Sequence, residues 1–379
     1  MEFFLTPEQL MIRDSAREYA QQHLLPGVIE RDLNGTWPQE QIEQMGQLGF
    51  MGMMVDPQWG GSGLDTMSYV LAMEEISKID ASASVIMSVN NSLVCWGLEK
   101  FGSAAQKEKY LPGLASGQLL GAFCLSEPEA GSDASSQKTK AEDQGDHYLV
   151  NGTKNWITNG GHADVYLVMA QTDARLKSKG INALIIEKGT PGFEVGPKEQ
   201  KMGIRSSDTH TLQFTDVVVS KSHRIGEEGF GFSFAMKTLA GGRLGIAAQA
   251  LGLAQGAYER SVAYAKQRKT FGQLIGSHQA IAFKLAKMAT DIEAARLLVY
   301  KAAQLKDQGA PIDRASAMAK YWASKAAMEV TTEAVQIHGG NGYVVEYHVE
   351  RMMRDAKITQ IYEGTTEIQQ MIIARGLGI

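Results

Sequence analysis

The chain holds 379 residues, with hydrophobic residues at 44% and charged residues at 21%, the proportions of an ordinary folded protein rather than a disordered one. Its 37 Lys and Arg against 42 Asp and Glu leave a formal net charge of -5, and no basic run marks a nucleic-acid footprint. The two cysteines, Cys95 and Cys124, are too few for a disulfide framework, and no window reaches the roughly 18 uninterrupted apolar residues of a membrane span.

At about 150 residues per domain, two or three domains are expected. The N-terminus, Met1-Glu2-Phe3-Phe4-Leu5-Thr6-Pro7, is acidic and soon turns polar, unlike a signal peptide. Both cysteines sit in apolar settings and read as buried free thiols. A soluble protein of a reducing compartment is the expectation.

The pattern is helical from Thr6 to about Gly117. Thr6-Pro7-Glu8-Gln9 is a capping box with proline at the first helical position, and Leu25-Pro26 kinks or stops that first helix. Gly60-Gly61-Ser62-Gly63 marks a loop, and Asp80-Ala81-Ser82 separates two further helical stretches. The period then changes. Tyr148-Leu149-Val150 reads as a strand entering a turn at Asn151-Gly152-Thr153, and 164–170 as a buried strand. Strands at 183–186 and 216–219 follow, with Gly189-Thr190-Pro191-Gly192 between them, so a small β domain is predicted. From Phe230 onward, long alanine-rich helices return. Leu285, Met288, Ile292, Ala295 and Val299 trace one face of a bundle helix, and similar stripes cover 244–266 and 315–337. The reading is an α+β multidomain protein: an N-terminal α-helical domain (1–117), a middle β-barrel or sandwich domain (118–229) and a C-terminal four-helix bundle (230–379).

Several chemistries are missing. There is no His-Glu-x-x-His or Cys/His cluster, so no metal site is expected. No Gly-x-Gly-x-x-Gly follows a strand, and Gly339-Gly340-Asn341-Gly342 follows a helix instead. No Gly-x-Ser-x-Gly elbow is present. An enzyme of this composition would rely on a bound cofactor.

Four segments narrow the choice. Residues 123–133, Phe-Cys-Leu-Ser-Glu-Pro-Glu-Ala-Gly-Ser-Asp, run from a strand into a loop of small residues. Residues 151–160 set Trp156 among hydrogen-bonding side chains. Arg268-Lys269-Thr270-Phe271-Gly272, with Gln279 beyond, places two cations and a hydroxyl at a helix junction. Ile361-Tyr362-Glu363-Gly364-Thr365-Thr366-Glu367 places a carboxylate on the turn before the last helix. Singly, each reads as a solvated loop, a helix end or core. Together and in this order, they resemble the acyl-CoA dehydrogenase family along nearly the whole chain.

The resemblance implies the same three-domain architecture, FAD as cofactor and a homotetramer built as a dimer of dimers. It implies that Phe123, Leu125, Ser126, Gly131 and Ser132 line the flavin, that Trp156, Ile157 and Thr158 cover its ring, and that Thr365 and Glu367 also touch it. Arg268, Thr270, Phe271, Gln279, Gln336, Gly339 and Gly340 would reach the FAD of a neighbouring subunit. His338 stands where an apolar residue is frequent in the family. The implied reaction forms a trans-2,3 double bond in an acyl-CoA, with Glu363 taking the α-proton and flavin N5 the β-hydride. Some members carry the base on a bundle helix, just before an arginine. That position here is Gly242, ahead of Arg243, which leaves Glu363. Ser132, Ala240, Gly241, Gly242, Arg243 and Gly364 would line the substrate.

The segments 88–93, 125–128 and 242–247 look most like short-chain (butyryl-CoA) members, and the resemblance implies that 93–97 face the end of the acyl pocket, where Trp96 would plug it. A short branched acyl-CoA, the reverse reduction of crotonyl-CoA and a non-catalytic scaffold role are the alternatives. The chain ends soon after Ala374-Arg375-Gly376, with no membrane extension and no oxidase-type domain, so an electron-transferring flavoprotein is the expected acceptor. The expected compartment is bacterial cytoplasm, or the mitochondrial matrix if a transit peptide has been removed.

Overall fold

The computed structural model describes residues 5–378. Seven helices come first: α1 (Pro7–Tyr19), α2 (Val28–Asn34), α3 (Gln39–Gln47), α4 (Thr66–Ser77), α5 (Ala81–Ser88), α6 (Trp96–Phe101) and α7 (Ala104–Ala115). The capping box forms as expected. The Thr6 hydroxyl accepts from the Gln9 amide at 3.2 Å, and Gln9 Oε1 accepts from the Thr6 amide at 2.9 Å. Past Tyr19 the helix widens into a π-helical turn, Ala20–Leu24, and the chain breaks at Pro26-Gly27. A second π-helical stretch, Val89–Cys95, joins α5 to α6 and is wholly buried. Both cysteines are free and buried.

The middle of the chain forms eight strands: β1 (Gly121–Cys124), β2 (Lys140–Asp143), β3 (His147–Thr158), β4 (Val165–Gln171), β5 (Ile181–Glu187), β6 (Phe193–Lys198), β7 (Thr209–Ser220) and β8 (Arg224–Ile225). They build one mixed sheet in the order β6-β7-β3-β2-β4-β5-β8, with β1 parallel to β4. The sheet curls over itself. Phe193 on β6 packs its ring 4.7 Å from that of Tyr166 on β4, and Arg224 on β8 donates to the Tyr148 hydroxyl on β3 at 2.8 Å. Strand periodicity divides β1, β4 and β5 between two cores. Tyr166, Val168, Leu184 and Ile186 fill the interior of the curled sheet, while Leu167, Met169, Ala183 and Ile185 join the core of the helical regions. That double burial is why these strands read as continuous apolar runs.

The turn expected at Asn151-Gly152-Thr153 is instead a bulge inside the twelve-residue β3, where the β3–β7 register shifts between Val150 and Gly152. Gly152 has φ +148, and a β-carbon on it would stand 2.7 Å from Thr139 Cα. The glycine therefore permits a close crossing rather than a reversal.

Five helices complete the chain: α8 (Gly231–Ala265), α9 (Gln279–Asp307), α10 (Asp313–His338), α11 (Val349–Ile358) and α12 (Thr366–Arg375). α8 to α11 pack on one another as the bundle, and α12 lies on α10. On α9, Met288, Ile292, Ala295 and Val299 are buried, with Leu285 packed at the edge of the same core. Residues 240–254 of α8 are buried on every side, which makes it the central helix. No helix among the described residues is long and apolar enough to cross a membrane.

Candidate active site

The turn Tyr362-Glu363-Gly364 links α11 to α12 with left-handed backbone, φ +53 at Glu363 and +94 at Gly364. A glutamate in this conformation is strained, so its surroundings must hold it. They do so from three helices. The Gly364 carbonyl accepts from Lys320 Nζ on α10 at 2.6 Å and from Gln369 Nε2 on α12 at 2.8 Å. The Tyr362 hydroxyl donates to Gln249 Oε1 on α8, and the Gln249 amide donates to the Ala81 carbonyl at 2.8 Å. Thr365 caps α12 through its hydroxyl, while Glu367 in the first turn is exposed.

The Glu363 carboxylate lies across Gly242 of α8. A β-carbon at Gly242 would stand 2.1 Å from Oε2 and 2.6 Å from Leu93 Cδ2. The residue as a whole is half-buried, yet Oε2 is enclosed and has no hydrogen-bond partner among the described residues. Burial pushes the carboxyl up to about 7, against the opposing pull of Lys320 and Arg243. Arg243 is buried, its Nε unpaired; desolvation lowers its pKa while Asp313 and Glu363 favour its charge. Lys320 is 1% exposed, and burial brings its ammonium down to about 7. Sequence reasoning passed over Lys320. The signal was its place among Ser316, Ala323 and Ala327, the helical spacing of the buried face of α10.

A second group gathers at the end of β1 and within β3. The Asn155 amide donates to the Ser126 carbonyl at 2.8 Å, and Lys154 Nζ to the Leu125 carbonyl at 3.0 Å, which brings 123–126 beside 154–158. Lys154 is fully buried and pairs with Glu127 at 2.8 Å. Burial would raise the Glu127 carboxyl, but Lys154 and the Lys138 amide outweigh it and hold it below its usual range. This internal pair also went unnoticed in the sequence. Next to it the β3–β7 register shifts between Lys154 and Ile157, and the bulge turns Trp156 outward with φ +61 and 61% exposure. Phe123, Leu125 and Ile157 are buried. Gly131 and Ser132 are exposed, and a β-carbon at Gly131 would meet nothing within 4 Å.

The third group stands apart, with no hydrogen bond or ring contact to the first two among the described residues. Lys269–Thr270 and Gln273–Leu274 pair as a hairpin, β9 and β10, rather than a plain helix junction. Its two-residue loop has φ +51 at Phe271 and +79 at Gly272, and Phe271 is 96% exposed at the tip. Arg268, Gln279, Gln336, Gly339 and Gly340 are exposed too. His338 is buried, stacked at 4.3 Å on Tyr264, and burial lowers its pKa.

Family profiles described as the N-terminal, middle and C-terminal domains of acyl-CoA dehydrogenase match residues 6–118, 122–217 and 229–378. The chain belongs to the acyl-CoA dehydrogenase family. It is 49% identical over 374 residues to the short-chain specific acyl-CoA dehydrogenase of Clostridium acetobutylicum, covering 99% of each chain. It superposes on the butyryl-CoA dehydrogenase of Megasphaera elsdenii with a TM-score of 0.98 at 50% identity, covering 100% of both chains. A chain from a structural study of the electron transferring flavoprotein of Acidaminococcus fermentans matches with a TM-score of 0.98 at 51% identity, over 100% of this chain and 99% of that one.

FAD is the cofactor of acyl-CoA dehydrogenases. The residues present here suit a flat, anionic, hydrogen-bonding group. The exposed indole of Trp156 offers a stacking face, Gly131 leaves its backbone open, and the Ser126, Ser132 and Thr158 hydroxyls have no partner among the described residues.

Proposed function

We propose that this acyl-CoA dehydrogenase oxidises a short-chain, butyryl-CoA-like thioester to its trans-2-enoyl-CoA, with Glu363 as the base that removes the α-proton. The observation that carries this is the enclosed, unpaired Oε2 of Glu363 lying across Gly242. A carboxylate whose pKa stands near 7 is matched to proton abstraction at neutral pH. Its other neighbours are the cations of Lys320 and Arg243, so no second carboxylate competes for the role. The Glu363 amide has no acceptor among the described residues and is free to donate to the thioester oxygen as negative charge develops there. Bound FAD supplies the acceptor for the hydride that leaves the β-carbon as the double bond forms. Phe123, Leu125, Ser126, Gly131, Ser132, Trp156, Ile157, Thr158, Thr365 and Glu367 hold it within the subunit in this reading.

Ser132, Ala240, Gly241, Gly242, Arg243 and Gly364 line the substrate. The short-chain assignment is supported by what surrounds Gly241. Lys306 Nζ would lie 3.4 Å from a β-carbon there, and the same amine stands 5.5 Å over the Trp96 ring. In this reading these side chains form the end of the acyl pocket. Arg268, Thr270, Phe271, Gln279, Gln336, Gly339 and Gly340 serve the FAD of a neighbouring subunit in a dimer of dimers. Their support is an exposed set built around a strained, almost fully exposed phenylalanine. The study of the Acidaminococcus fermentans flavoprotein supports an electron-transferring flavoprotein as acceptor, and the bacterial and mitochondrial relatives fit either bacterial cytoplasm or the mitochondrial matrix.

The test is an anaerobic titration of the purified FAD-loaded protein with butyryl-CoA, isobutyryl-CoA and octanoyl-CoA, following the visible flavin absorbance. Rapid bleaching by butyryl-CoA is expected. Bleaching by isobutyryl-CoA alone moves the substrate to the branched class, and bleaching by none refutes the dehydrogenase reading.

A further inference from the structure

We propose that Lys320 is a positioning residue for the Glu363 base: its ammonium pins the turn through the Gly364 carbonyl, and its charge keeps the adjacent carboxylate ionised. The proposal rests on Glu363 being the base.

An amine that is 1% exposed, with no carboxylate within hydrogen-bond reach, is costly to bury. Holding the carbonyl does not by itself call for a cation. The neutral amide of Gln369 already donates to the same oxygen at 2.8 Å and to the Glu363 carbonyl at 3.3 Å. What Lys320 adds to the turn is charge, carried in full on the acidic side of neutrality, where Glu363 takes up its proton. The groups facing Glu363 can be taken helix by helix. α10 contributes Lys320 and α8 contributes Arg243. α4 contributes the Tyr69 hydroxyl, which is fully buried, bonded to Ser88 at 3.0 Å and neutral because burial raises its pKa far above the working range. The turn itself contributes Tyr362, neutral for the same reason. The π-helical stretch contributes the apolar Leu93. Both cations oppose the effect of burial on Glu363, and Lys320 is the one that also holds the turn, through the Gly364 carbonyl at 2.6 Å. Without it, burial acts on Glu363 against Arg243 alone, and the carboxylate takes up its proton at higher pH.

The experiment compares wild type, Lys320→Met and Lys320→Arg as FAD-loaded proteins, using whichever thioester bleaches the wild-type flavin. kcat and KM are followed across the neutral range, and the protonated Glu363 carboxyl is titrated by difference infrared, its band assigned by loss in Glu363→Gln. Lys320→Met is expected to move the acidic limb of kcat and the infrared midpoint up by about one pH unit, the lower end of the effect of a close opposite charge. Its rate should then fall about tenfold on the acidic limb and recover toward wild type in alkali, with little change in KM. Lys320→Arg, which keeps a permanent cation, should hold the limb at the wild-type position or below it. A rate loss equal at every pH in Lys320→Met, or an unmoved infrared midpoint, overturns the inference alone. Should Lys320→Met fail to fold or to hold FAD, an upward shift in Lys320→Arg overturns it instead. A wild-type protein that no thioester reduces overturns the base assignment on which the inference rests.

Discussion

Gly242→Ala tests the base position most directly, because the clash is local and its size is known. The new methyl would stand 2.1 Å from Glu363 Oε2, 3.0 Å from its Cδ and 2.6 Å from Leu93 Cδ2. To restore van der Waals contact, the carboxylate must retreat by about 1 Å, and a displacement of that order costs about 100-fold in rate when it falls on a reacting group. The fold should survive. The clash is with the ends of two side chains rather than with backbone, and alanine in a helix gains up to about 1 kcal/mol over glycine. The neighbouring Gly241→Ala serves as comparison: its methyl would meet Lys306 Nζ at 3.4 Å and the Ser92 carbonyl at 3.8 Å, both ordinary contacts away from the Glu363 carboxylate, so on a residue proposed to line the substrate its effect should fall on KM. kcat, KM, FAD content and melting temperature are measured for both variants. The expected result is a kcat loss of about two orders of magnitude in Gly242→Ala, with normal flavination, against at most a few-fold loss in Gly241→Ala. Near-wild-type kcat in Gly242→Ala, or equal losses in both, would refute the placement of the base across Gly242.

Glu363→Gln should still bind acyl-CoA yet lose at least about 100-fold in turnover, the worth of a positioned general base, and substantial residual activity would contradict the assignment. With its carboxyl near 7, Glu363 accepts a proton only when ionised, so wild-type kcat should fall roughly tenfold for each pH unit below that value and level off above it. Arg268→Ala should weaken FAD retention by about 1.5–3 kcal/mol, measured as released flavin against protein concentration, and a tetramer that keeps its flavin as tightly as wild type would argue against the cross-subunit contact. Lys154→Met leaves Glu127, 6% exposed, without its cation and with only the Lys138 and Thr139 amides as donors, and should cost about 3–5 kcal/mol in denaturant unfolding; a loss below about 1 kcal/mol would show the pair to be dispensable.

Much of the fold was legible because the apolar period changes twice along the chain. The stripe from Leu285 to Val299 and the run at 164–170 carry their structure in residue spacing alone. What escaped the sequence depends on contacts distant in the chain. Asn151-Gly152 carries the composition of a turn, yet β7 and Thr139 lie alongside and draw the chain through as a bulge. Phe271-Gly272 forms a hairpin loop although phenylalanine is a poor residue for left-handed backbone, so local propensity gave no warning. At Asn151-Gly152 the local rule fails because strands beyond the segment set the backbone.

The same division runs through the site. Glu363, Trp156 and Phe271 were visible as motif residues, and each has positive φ in a residue type that avoids it. At Glu363 and Trp156 neighbours enforce this strain, and those neighbours were the ones the sequence hid. Lys320 and Gln369 hold the Glu363 turn, while Lys154 sits beside the bulge that turns Trp156 outward. A buried lysine inside an alanine-rich helix, or at the centre of a strand, costs stability unless it returns something. Here one lysine returns a carbonyl clamp beside an enclosed carboxylate, and the other an ion pair that joins β3 to the loop after β1. The residues proposed to perform the chemistry were therefore legible by type, and those that hold them in place only by packing.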